Sequence, residues 1–488
     1  MLLATTFSLL TTFLKMLSTE SITSLRAKLT AGEITPVDII DSLEASIKEK
    51  DEAIGGYLAY DFDTAREEAQ SADLSLPLGG IPIAIKDNIN VKGQPLTCAS
   101  KFLEGAFISP YDATVITKLR EAGAIPLGRT NLDEFAMGST SGNSAIKRTN
   151  NPVDLTRVPG GSSGGSAAVV AADTAIAALG SDTGGSIRQP ASHCGIVGLK
   201  PSYGRVSRYG LVAFASSLDQ IGPMTKSVDD AALLLNAITG YDPADSTSLE
   251  DDNTDFTADI DRGVKGLRLG VPKEYFSDAI DPAVKVIFDE TAAKLEAAGA
   301  ELVPISLPHT EYAVATYYII APAEASSNLS RFDGIRYGNR AENPENLIDL
   351  YRKSRAQGFG AEVKRRIILG TYVLSSGYHD AYYTKAQKVR TLIRKDFTDA
   401  FANVDAILSP VAPTAAPKHG ENADDPLTEY LADICTLAAN LAGIPGISVP
   451  AGTIESDTGT KLPVGLQILG PDLGEAILLK IAKTVESL

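Results

Sequence analysis

The stretch "PGGSSGGSAAVVAADTAIAALGSDTGGSIRQP", residues 159–190, decides how this chain folds. Its glycines and serines fall into two clusters, and the residues between the clusters are mostly small and apolar. Such a run predicts a buried helix followed by a buried strand, with a glycine-rich turn at each end. A flexible linker would be followed by polar residues, so we interpret the first cluster as a turn that enters a helix.

Three familiar catalytic loops fit this stretch poorly. Gly160 and Gly165 have the spacing of a phosphate-binding loop, but Ser166 stands where that loop requires lysine. Residues 160–164 match a nucleophile elbow, yet none of the four histidines lies in a recognisable triad context. The triplet "DTG" at 182–184 has no second copy, which an aspartic protease would need.

Short apolar runs alternate with helical patterns along the rest of the chain, without internal repeats. Helices are predicted over 112–124 and 283–299, and strands over 80–86, 124–128, 267–272, 301–305, 406–410, 446–451 and 464–470. This rhythm predicts an α/β fold with one large mixed central sheet covered by helices on both faces. The acidic segment 247–263 is expected to be a long surface loop.

Composition excludes several classes of function. With 44 Lys+Arg against 61 Asp+Glu, the chain carries a net charge of −17, which disfavours extensive nucleic-acid binding. Three cysteines (Cys98, Cys194 and Cys435) imply no disulfide framework and suit a reducing compartment, so we expect a cytoplasmic protein. Cys194 follows His193, and we interpret it as a structural cysteine. The scattered histidines give no metal site by ligand spacing.

The first residues look slightly like a secretory signal but lack its positively charged start, and they are too short to span a bilayer. We expect translation to begin at Met16, so that residues 1–15 are a dispensable extension or an upstream-start artefact. Residues 16–488 then form a single domain. A helix capped by Ser18 or Thr19 is predicted at its start. Its apolar face would hold Leu25, Leu29 and Ile34.

One lysine and two serines suggest a reaction. Lys86 ends a predicted buried strand, where burial lowers the pKa of an amine and makes it a base. Ser162 and Ser186 lie in the two glycine-rich clusters, and a helix and a strand between them let the turns lie side by side. Ser186 would attack a carbonyl carbon and pass its proton through Ser162 to Lys86. Taken singly, they read as a solvated strand end, a helix cap and a turn serine.

Glycines beside the second serine complete this chemistry. Thr183, Gly184 and Gly185 precede Ser186, and glycine allows backbone N–H groups to turn toward a developing oxyanion. These three residues are therefore the predicted oxyanion hole.

Three segments resemble the amidase signature family: "KDN" (86–88), "PGGSSGGSAA" (159–168) and "GSDTGGSIRQPA" (180–191). They occur in the family's order and spacing. The resemblance implies the amidase signature fold, with a signature core at about 80–220. It also implies a catalytic triad of Ser186, Ser162 and Lys86, with a cis peptide bond between Gly161 and Ser162.

Later segments at 324–338, 358–383 and 431–452 resemble one branch of that family, the A subunits of aspartyl/glutamyl-tRNA(Asn/Gln) amidotransferases. That resemblance implies a glutaminase that supplies ammonia to a B subunit. The B subunit would use ATP and Mg²⁺ to amidate Glu-tRNA(Gln), Asp-tRNA(Asn) or both, and a small C subunit would hold the two together. Mischarged tRNA would then be bound through the B subunit, and this chain would need no cofactor, metal or membrane.

The same resemblance implies the glutamine contacts. Asp433 would bind the α-ammonium group, Arg366 the α-carboxylate, and Tyr317 would donate a hydrogen bond nearby. The adjacent Arg365 leaves the carboxylate partner open by one residue. Two other functions stay open as well: a stand-alone serine amidase acting on small or aryl amides, and an amidase-like scaffold without catalysis. The tRNA acceptor and the path of ammonia are not indicated by the sequence.

Overall fold

The computed structural model describes residues 16–250, 254–421 and 426–488, without the side chains of residues 426–428. The predicted extension at 1–15 lies outside the described residues. Within these ranges, no helix combines the length and the apolar character needed to cross a membrane.

Eleven strands of the described chain form one mixed sheet, as predicted. They are β1 (Tyr57–Ala59), β2 (Pro82–Lys86), β3 (Ile125–Thr130), β4 (Ala177–Asp182), β5 (Val197–Lys200), β6 (Gln220–Thr225), β7 (Arg268–Pro272), β8 (Glu301–Ile305), β9 (Ala406–Pro410), β10 (Gly446–Glu455) and β11 (Lys461–Leu469). Their spatial order is β1-β3-β2-β4-β6-β5-β10-β11-β9-β7-β8. β2 is parallel to β3 and β4, and β7 is parallel to β8 and β9, whereas the other neighbouring pairs are antiparallel.

Fifteen α-helices of the described residues surround the sheet. They are α1 (Ile22–Ala31), α2 (Pro36–Ile54), α3 (Phe62–Gln70), α4 (Thr114–Glu121), α5 (Gly164–Ala171), α6 (Arg188–Cys194), α7 (Val228–Ile238), α8 (Pro282–Ala297), α9 (Ala313–Asn328), α10 (Leu347–Gly358), α11 (Ala361–Val373), α12 (Lys385–Phe401), α13 (Pro426–Leu431), α14 (Leu437–Ala442) and α15 (Glu475–Glu486).

The sheet separates two large hydrophobic cores. Side chains of a strand alternate between its faces, and in β9 Ala406 and Leu408 join one core while Ile407 joins the other. Helices therefore pack on both faces, as the alternation of helical and strand patterns predicted.

All the predicted strands are present, and the helices predicted over 112–124 and 283–299 and within the quoted stretch are found as α4, α8 and α5. The sequence analysis missed β1, β5 and β6. β5 is only four residues long, and β6 has the sequence "QIGPMT", whose glycine and proline are typical of a turn. β6 forms a strand because it pairs with β4 over six residues and with β5 over two.

Two predicted details are corrected. Helix α1 begins later than expected: its cap is Ser21, whose hydroxyl accepts a hydrogen bond from the amide of Ser24 at 3.1 Å, so Ser18 and Thr19 are not the cap. The acidic segment is only partly a surface loop, because its Phe256 and Ile260 are buried in the core.

Parallel pairing brings the predicted site together. β2 and β4 are neighbours, and the carboxyl ends of parallel strands meet at the same edge of a sheet. Lys86 is the last residue of β2, and Asp182 is the last residue of β4. The turn before α5 and the turn after β4, which are the two glycine-rich clusters, both lie at that edge.

Candidate active site

Lys86 is fully buried, with 0% of its side chain exposed, and three hydroxyl groups surround its amine. Nζ lies 2.8 Å from Ser162 Oγ, 2.7 Å from Ser163 Oγ and 2.9 Å from Ser181 Oγ. The burial expected for the end of an apolar strand is therefore observed.

Hydrogen-bond directions around the amine are constrained. The Ser163 hydroxyl donates to the carbonyl oxygen of Ser181 at 3.0 Å, so toward Lys86 it can only accept. The Asn88 side-chain amide donates to Ser181 Oγ at 2.9 Å. A neutral amine that donates one N–H to Ser163 and the other to Ser181 has its lone pair left for the hydroxyl proton of Ser162.

Burial lowers the pKa of Lys86 to about 7. The carboxylates of Asp133, Asp182 and Asp219 act in the opposite direction, because they favour the protonated amine. A substantial fraction of Lys86 is consequently neutral near neutral pH, as a general base requires.

The peptide bond between Gly161 and Ser162 is cis, at the position that the family resemblance implied. The amide of Gly161 donates to Gln189 Oε1 at 2.9 Å. A Cβ atom on Gly161 would lie 2.1 Å from Asp133 Oδ2, so only glycine fits here. The N-cap of α5 is Ser163, which rules out the simple alternative that Ser162 is the cap.

Ser186 lies beside this turn. The amide of Ser163 donates to the carbonyl oxygen of Ser186 at 3.1 Å, and this contact holds the two glycine-rich turns together. Only 8% of Ser186 is exposed, and its hydroxyl makes no hydrogen bond with the described residues. The structure thus joins Lys86 to Ser162 directly and places Ser186 next to them with a free hydroxyl.

Asp182 organises the turn that carries Ser186. Its carboxylate accepts hydrogen bonds from the amides of Gly185 (2.8 Å) and Ile187 (3.1 Å) and from Nε of Arg188 (3.1 Å). Burial on its own would raise the pKa of Asp182, but the Arg188 guanidinium holds this pKa well below its usual range. The ion pair is fully buried, so the turn is fixed by a permanently charged carboxylate.

The residues of the predicted oxyanion hole lie in the turn between β4 and α6. The Gly185 amide is already bound to Asp182, so in this structure it holds the turn together and is not free for an oxyanion. The amides of Thr183, Gly184 and Ser186 make no hydrogen bond with the described part of the chain. These three N–H groups are therefore the available donors.

The same turn packs tightly against residues far along the chain. A Cβ atom on Gly184 would lie 2.8 Å from Tyr317 Cζ and 2.8 Å from Leu437 Cδ2, and one on Gly185 would lie 2.2 Å from Thr436 Oγ1. Glycine is required at both positions because of this close approach. The predicted substrate residue Tyr317 is thereby placed directly against the turn.

Arg366 is buried in an aromatic enclosure. Its guanidinium carbon lies 5.4–5.7 Å from the ring centres of Phe214, Tyr318 and Tyr430. Nε donates to Glu362 Oε1 at 2.7 Å, while the two terminal nitrogens make no hydrogen bond with the described residues. A guanidinium held in this way presents a free two-pronged donor to an anion.

The structure distinguishes between the two adjacent arginines, Arg365 and Arg366, as candidates for binding the carboxylate. The side chain of Arg365 is 51% exposed, although it also pairs with Glu362. Arg366 is buried and close enough to Tyr317 and Asp433 to influence the pKa of both side chains. Of the two candidates, Arg366 is the one that faces the other predicted substrate residues.

Asp433 is buried beside a cavity. Burial raises the pKa of its carboxyl to about 7, although the hydroxyl of Ser139, which donates at 2.5 Å, acts to lower it. Ser139 also lines an open cavity of about 550 Å³, together with Gln189 and Arg365. Ser139 thus connects Asp433 to the wall of this cavity.

Several residues of this site were missed by the sequence analysis. Ser163 and Ser181 contact Lys86 as closely as Ser162 does, and Asp182 and Arg188 hold the turn of Ser186. The available signal was the run of polar residues flanking the glycines of the quoted stretch, to most of which the sequence analysis assigned no role.

This chain is similar in sequence to a known protein family and to characterised relatives. A sequence model of the family described as "Amidase" matches residues 38–479. The chain is 58% identical over 455 residues to the A subunit of the Glutamyl-tRNA(Gln) amidotransferase of Akkermansia muciniphila, with coverage of 93% of this chain and 96% of the relative. It is 57% identical over 463 residues to the protein of the same name from Desulfatibacillum aliphaticivorans, with coverage of 93% and 94%.

Two crystal structures have a similar fold. One is the A subunit of the Glutamyl-tRNA(Gln) amidotransferase of Thermotoga maritima, with a TM-score of 0.80, 44% identity and coverage of 96% of this chain and 95% of that one. The other is the native peptide amidase of Stenotrophomonas maltophilia, with a TM-score of 0.79, 30% identity and coverage of 96% of both chains.

Proposed function

This chain belongs to the amidase signature family, and we propose that it hydrolyses glutamine to glutamate and ammonia as one subunit of a tRNA-dependent amidotransferase. The observation that carries the proposal is the buried amine of Lys86, whose pKa burial lowers to about 7 and which lies 2.8 Å from the Ser162 hydroxyl. The backbone beside Ser162 is hydrogen-bonded to the carbonyl oxygen of Ser186, whose own hydroxyl is free of hydrogen bonds with the described residues. A neutral base, a relay hydroxyl and a nucleophile are the groups that amide hydrolysis needs.

The proposed reaction has two halves. Ser186 Oγ bonds to the amide carbon, its proton moves to Ser162, and Ser162 passes its own proton to Lys86. The negative charge on the substrate oxygen is stabilised by the free amides of Thr183, Gly184 and Ser186. The proton held by Lys86 returns through Ser162 to the leaving nitrogen, the C–N bond breaks, and ammonia leaves an acyl group on Ser186. Water then attacks this ester along the same proton path and releases glutamate.

Two charged residues suit the ends of free glutamine. We assign the α-carboxylate to the terminal nitrogens of Arg366, which are unoccupied by the described residues, and the α-ammonium group to Asp433. Because burial raises the pKa of Asp433 to about 7, the arriving cation would also stabilise its ionised form. Tyr317, packed on Gly184, would lie between the two ends and contact the substrate.

Partners follow from the relatives. We propose that the chain assembles with a B and a C subunit, as the names of the relatives suggest, and that the B subunit binds the mischarged tRNA and uses ATP and Mg²⁺. The net charge of −17 supports a role that leaves tRNA to a partner. The three cysteines are free and buried, which agrees with a cytoplasmic site of action.

The test is a substrate comparison. The full chain, alone and with the presumed partner subunits and Glu-tRNA(Gln), is incubated with L-glutamine or with benzamide, and ammonia release is measured, with Ser186→Ala as the control. We expect glutamine hydrolysis that the partners increase and that Ser186→Ala abolishes. Turnover of benzamide with glutamine untouched would instead support a stand-alone amidase, and unchanged activity in Ser186→Ala would exclude the proposed nucleophile.

A further inference from the structure

Asp219 is a buried carboxylate next to the site, and the reaction described above does not use it. It directly precedes β6, is 3% exposed and forms no ion pair with the described residues. Its partners are three hydrogen-bond donors: the Thr183 hydroxyl at 2.7 Å, the Phe214 amide at 2.9 Å and the Ala215 amide at 3.1 Å. Burying an unpaired charge is costly, so a structure that retains one here needs all three bonds.

The bond to Thr183 reaches the reactive end of the site. Thr183 lies between Asp182 and Gly184, in the turn whose free amides are the proposed donors at the oxyanion position. With its hydroxyl fixed by Asp219, the Thr183–Gly184 peptide has little freedom to rotate away from that position.

The hydrogen bond to the Phe214 amide connects Asp219 to the side of the site that holds Arg366. The ring of Phe214 lies 5.6 Å from the guanidinium carbon of Arg366 and is one of the three rings that enclose it. Asp219 therefore holds, through two different hydrogen bonds, the turn at the scissile amide and one wall of the arginine that faces the substrate carboxylate.

We propose that Asp219 is a positioning residue that fixes the Thr183–Gly184 turn and the Phe214–Arg366 wall at a set distance from each other. It thereby matches the site to a substrate whose amide and carboxylate groups are separated by the length of a glutamine side chain. This inference rests on the proposed glutamine hydrolysis.

The chemistry of the three partners explains why a carboxylate is needed. All of them donate, and a carboxylate only accepts, whereas an asparagine would turn its NH₂ group toward at least one donor. Burial raises the pKa of Asp219 to about 6, so at neutral pH the accepting form still predominates. Asp219→Asn consequently preserves the shape and removes at least one of the bonds.

Asp230 supplies a matched control. It is also buried, and it also accepts from two backbone amides and a threonine hydroxyl: Ile22 N at 3.0 Å, Thr23 N at 3.2 Å and Thr23 Oγ1 at 3.3 Å. These contacts are at helix α1, away from the site. A purely structural role would make the two Asp→Asn variants equivalent.

The experiment measures kcat and KM for L-glutamine and the thermal midpoint of the full chain. We expect Asp219→Asn to lower kcat by about 10- to 100-fold and to raise KM, because small displacements of catalytic groups cost about that much. Asp230→Asn is expected to keep both constants within about twofold while lowering the thermal midpoint. Equal kinetic losses in the two variants would overturn the proposal.

A second comparison does not depend on the folding of Asp219→Asn. Thr183→Val removes the hydroxyl and should lower kcat. Thr183→Ser retains the hydroxyl and should keep kcat within about threefold of the wild-type value. Phe214→Leu should mainly raise KM. If Asp219 joins the two ends, the combined effect of Thr183→Val and Phe214→Leu on kcat/KM should differ from the product of the single effects by at least about twofold. Additive effects of Thr183→Val and Phe214→Leu, or a low kcat in Thr183→Ser, would contradict the proposed connection through Asp219.

Failure of the proposed function is recognised separately. A wild-type chain that ignores glutamine, with its partners present, refutes the glutaminase proposal before any variant is made. The Asp219 and Asp230 variants are then compared on the amide that the wild type does hydrolyse, where equal losses again overturn the positioning role.

Discussion

At the scale of single residues, burial decides the chemistry of this site. Lys86 is basic enough to accept a proton near pH 7 because its amine is removed from water, and this effect could be predicted from its place at the end of an apolar strand. What the sequence could not predict is which hydroxyls meet the amine. Ser163 and Ser181 are brought there by the turn before α5 and by β4, so their contacts depend on tertiary packing.

The first prediction concerns pH. Lys86 must be neutral to accept a proton and Asp433 must be ionised to bind an ammonium group, and burial places the pKa of each at about 7. As pH falls through 7 both groups become protonated, so log(kcat/KM) for glutamine should fall with a slope approaching two. In Asp433→Asn the residual activity should fall with a slope of one. A profile that is flat from pH 5 to about 9 would contradict the role of Lys86.

The second prediction concerns Ser163. Its hydroxyl is committed to the Ser181 carbonyl and orients the amine of Lys86, so Ser163→Ala should lower kcat by about 10- to 100-fold. Ser166→Ala is the matched control, because Ser166 lies in the first turn of the helix that follows Ser163 and is equally buried. Its hydroxyl donates to Leu179 at 3.0 Å and makes no hydrogen bond to Lys86. Steady-state kinetics that show equal losses in both variants would exclude the orienting role.

At the scale of elements, the turn between β4 and α6 carries most of the reactive groups. Its two glycines were identified from the sequence, but the sequence did not indicate that the amide of Gly185 is held by Asp182. The reason is physical: a glycine indicates that the backbone approaches another group closely, but the sequence does not identify that group. Here the partners are Tyr317, Thr436 and Leu437, which are contributed by distant helices and loops.

The third prediction tests that close approach. Gly184→Ala would place a methyl group 2.8 Å from Tyr317 Cζ, which forces the turn or the ring to shift, and kcat/KM should fall by about 100-fold. Gly142→Ala is the control, since its added methyl would approach only the side chain of Thr140, at 3.0 Å. Kinetics of Gly184→Ala that match those of Gly142→Ala would show that the turn tolerates displacement.

The fourth prediction separates the two arginines of α11. Arg366→Lys loses the two-pronged donor and should raise KM for glutamine by at least about 10-fold. Arg365→Lys leaves the buried arginine in place and should change KM by less than about threefold, because Arg365 is half exposed. Initial-rate measurements decide the matter, and a larger KM effect in Arg365→Lys would reverse the assignment.

At the scale of the whole molecule, the sequence predicted the class of fold and most strands but not their order. Alternation of apolar and helical patterns identifies elements, whereas the order β1-β3-β2-β4-β6-β5 depends on long-range pairing that no local pattern encodes. β6 shows this well, because its interior proline and glycine argue against a strand until β4 and β5 are placed beside it. The proposed substrate residues on α9, on α11 and at position 433 were located only through resemblance.

The fifth prediction concerns the ends of the described chain. The N-terminus of α7 binds both: Asp230 accepts from the first turn of α1, and the amide of Val228 donates to Glu486 in α15 at 2.8 Å. Asp230→Ala leaves buried donors unsatisfied and should reduce the free energy of unfolding by about 1–3 kcal/mol. The thermal midpoint should fall while kcat/KM per folded molecule stays unchanged. A stable variant with impaired kinetics would contradict this separation.

Reactive groups and ligand-facing groups come from different parts of the chain. Lys86, Ser162 and Ser186 all lie in the first 186 residues, whereas Tyr317, Arg366 and Asp433 follow much later. Mutational drift in the later part can therefore retune which amide is accepted while the hydrolytic apparatus is inherited intact. In a lineage of such enzymes, the substitutions that change substrate specificity are therefore expected mainly in the later half of the chain. Ancestral sequence reconstruction should then find the fewest substitutions in the earlier half.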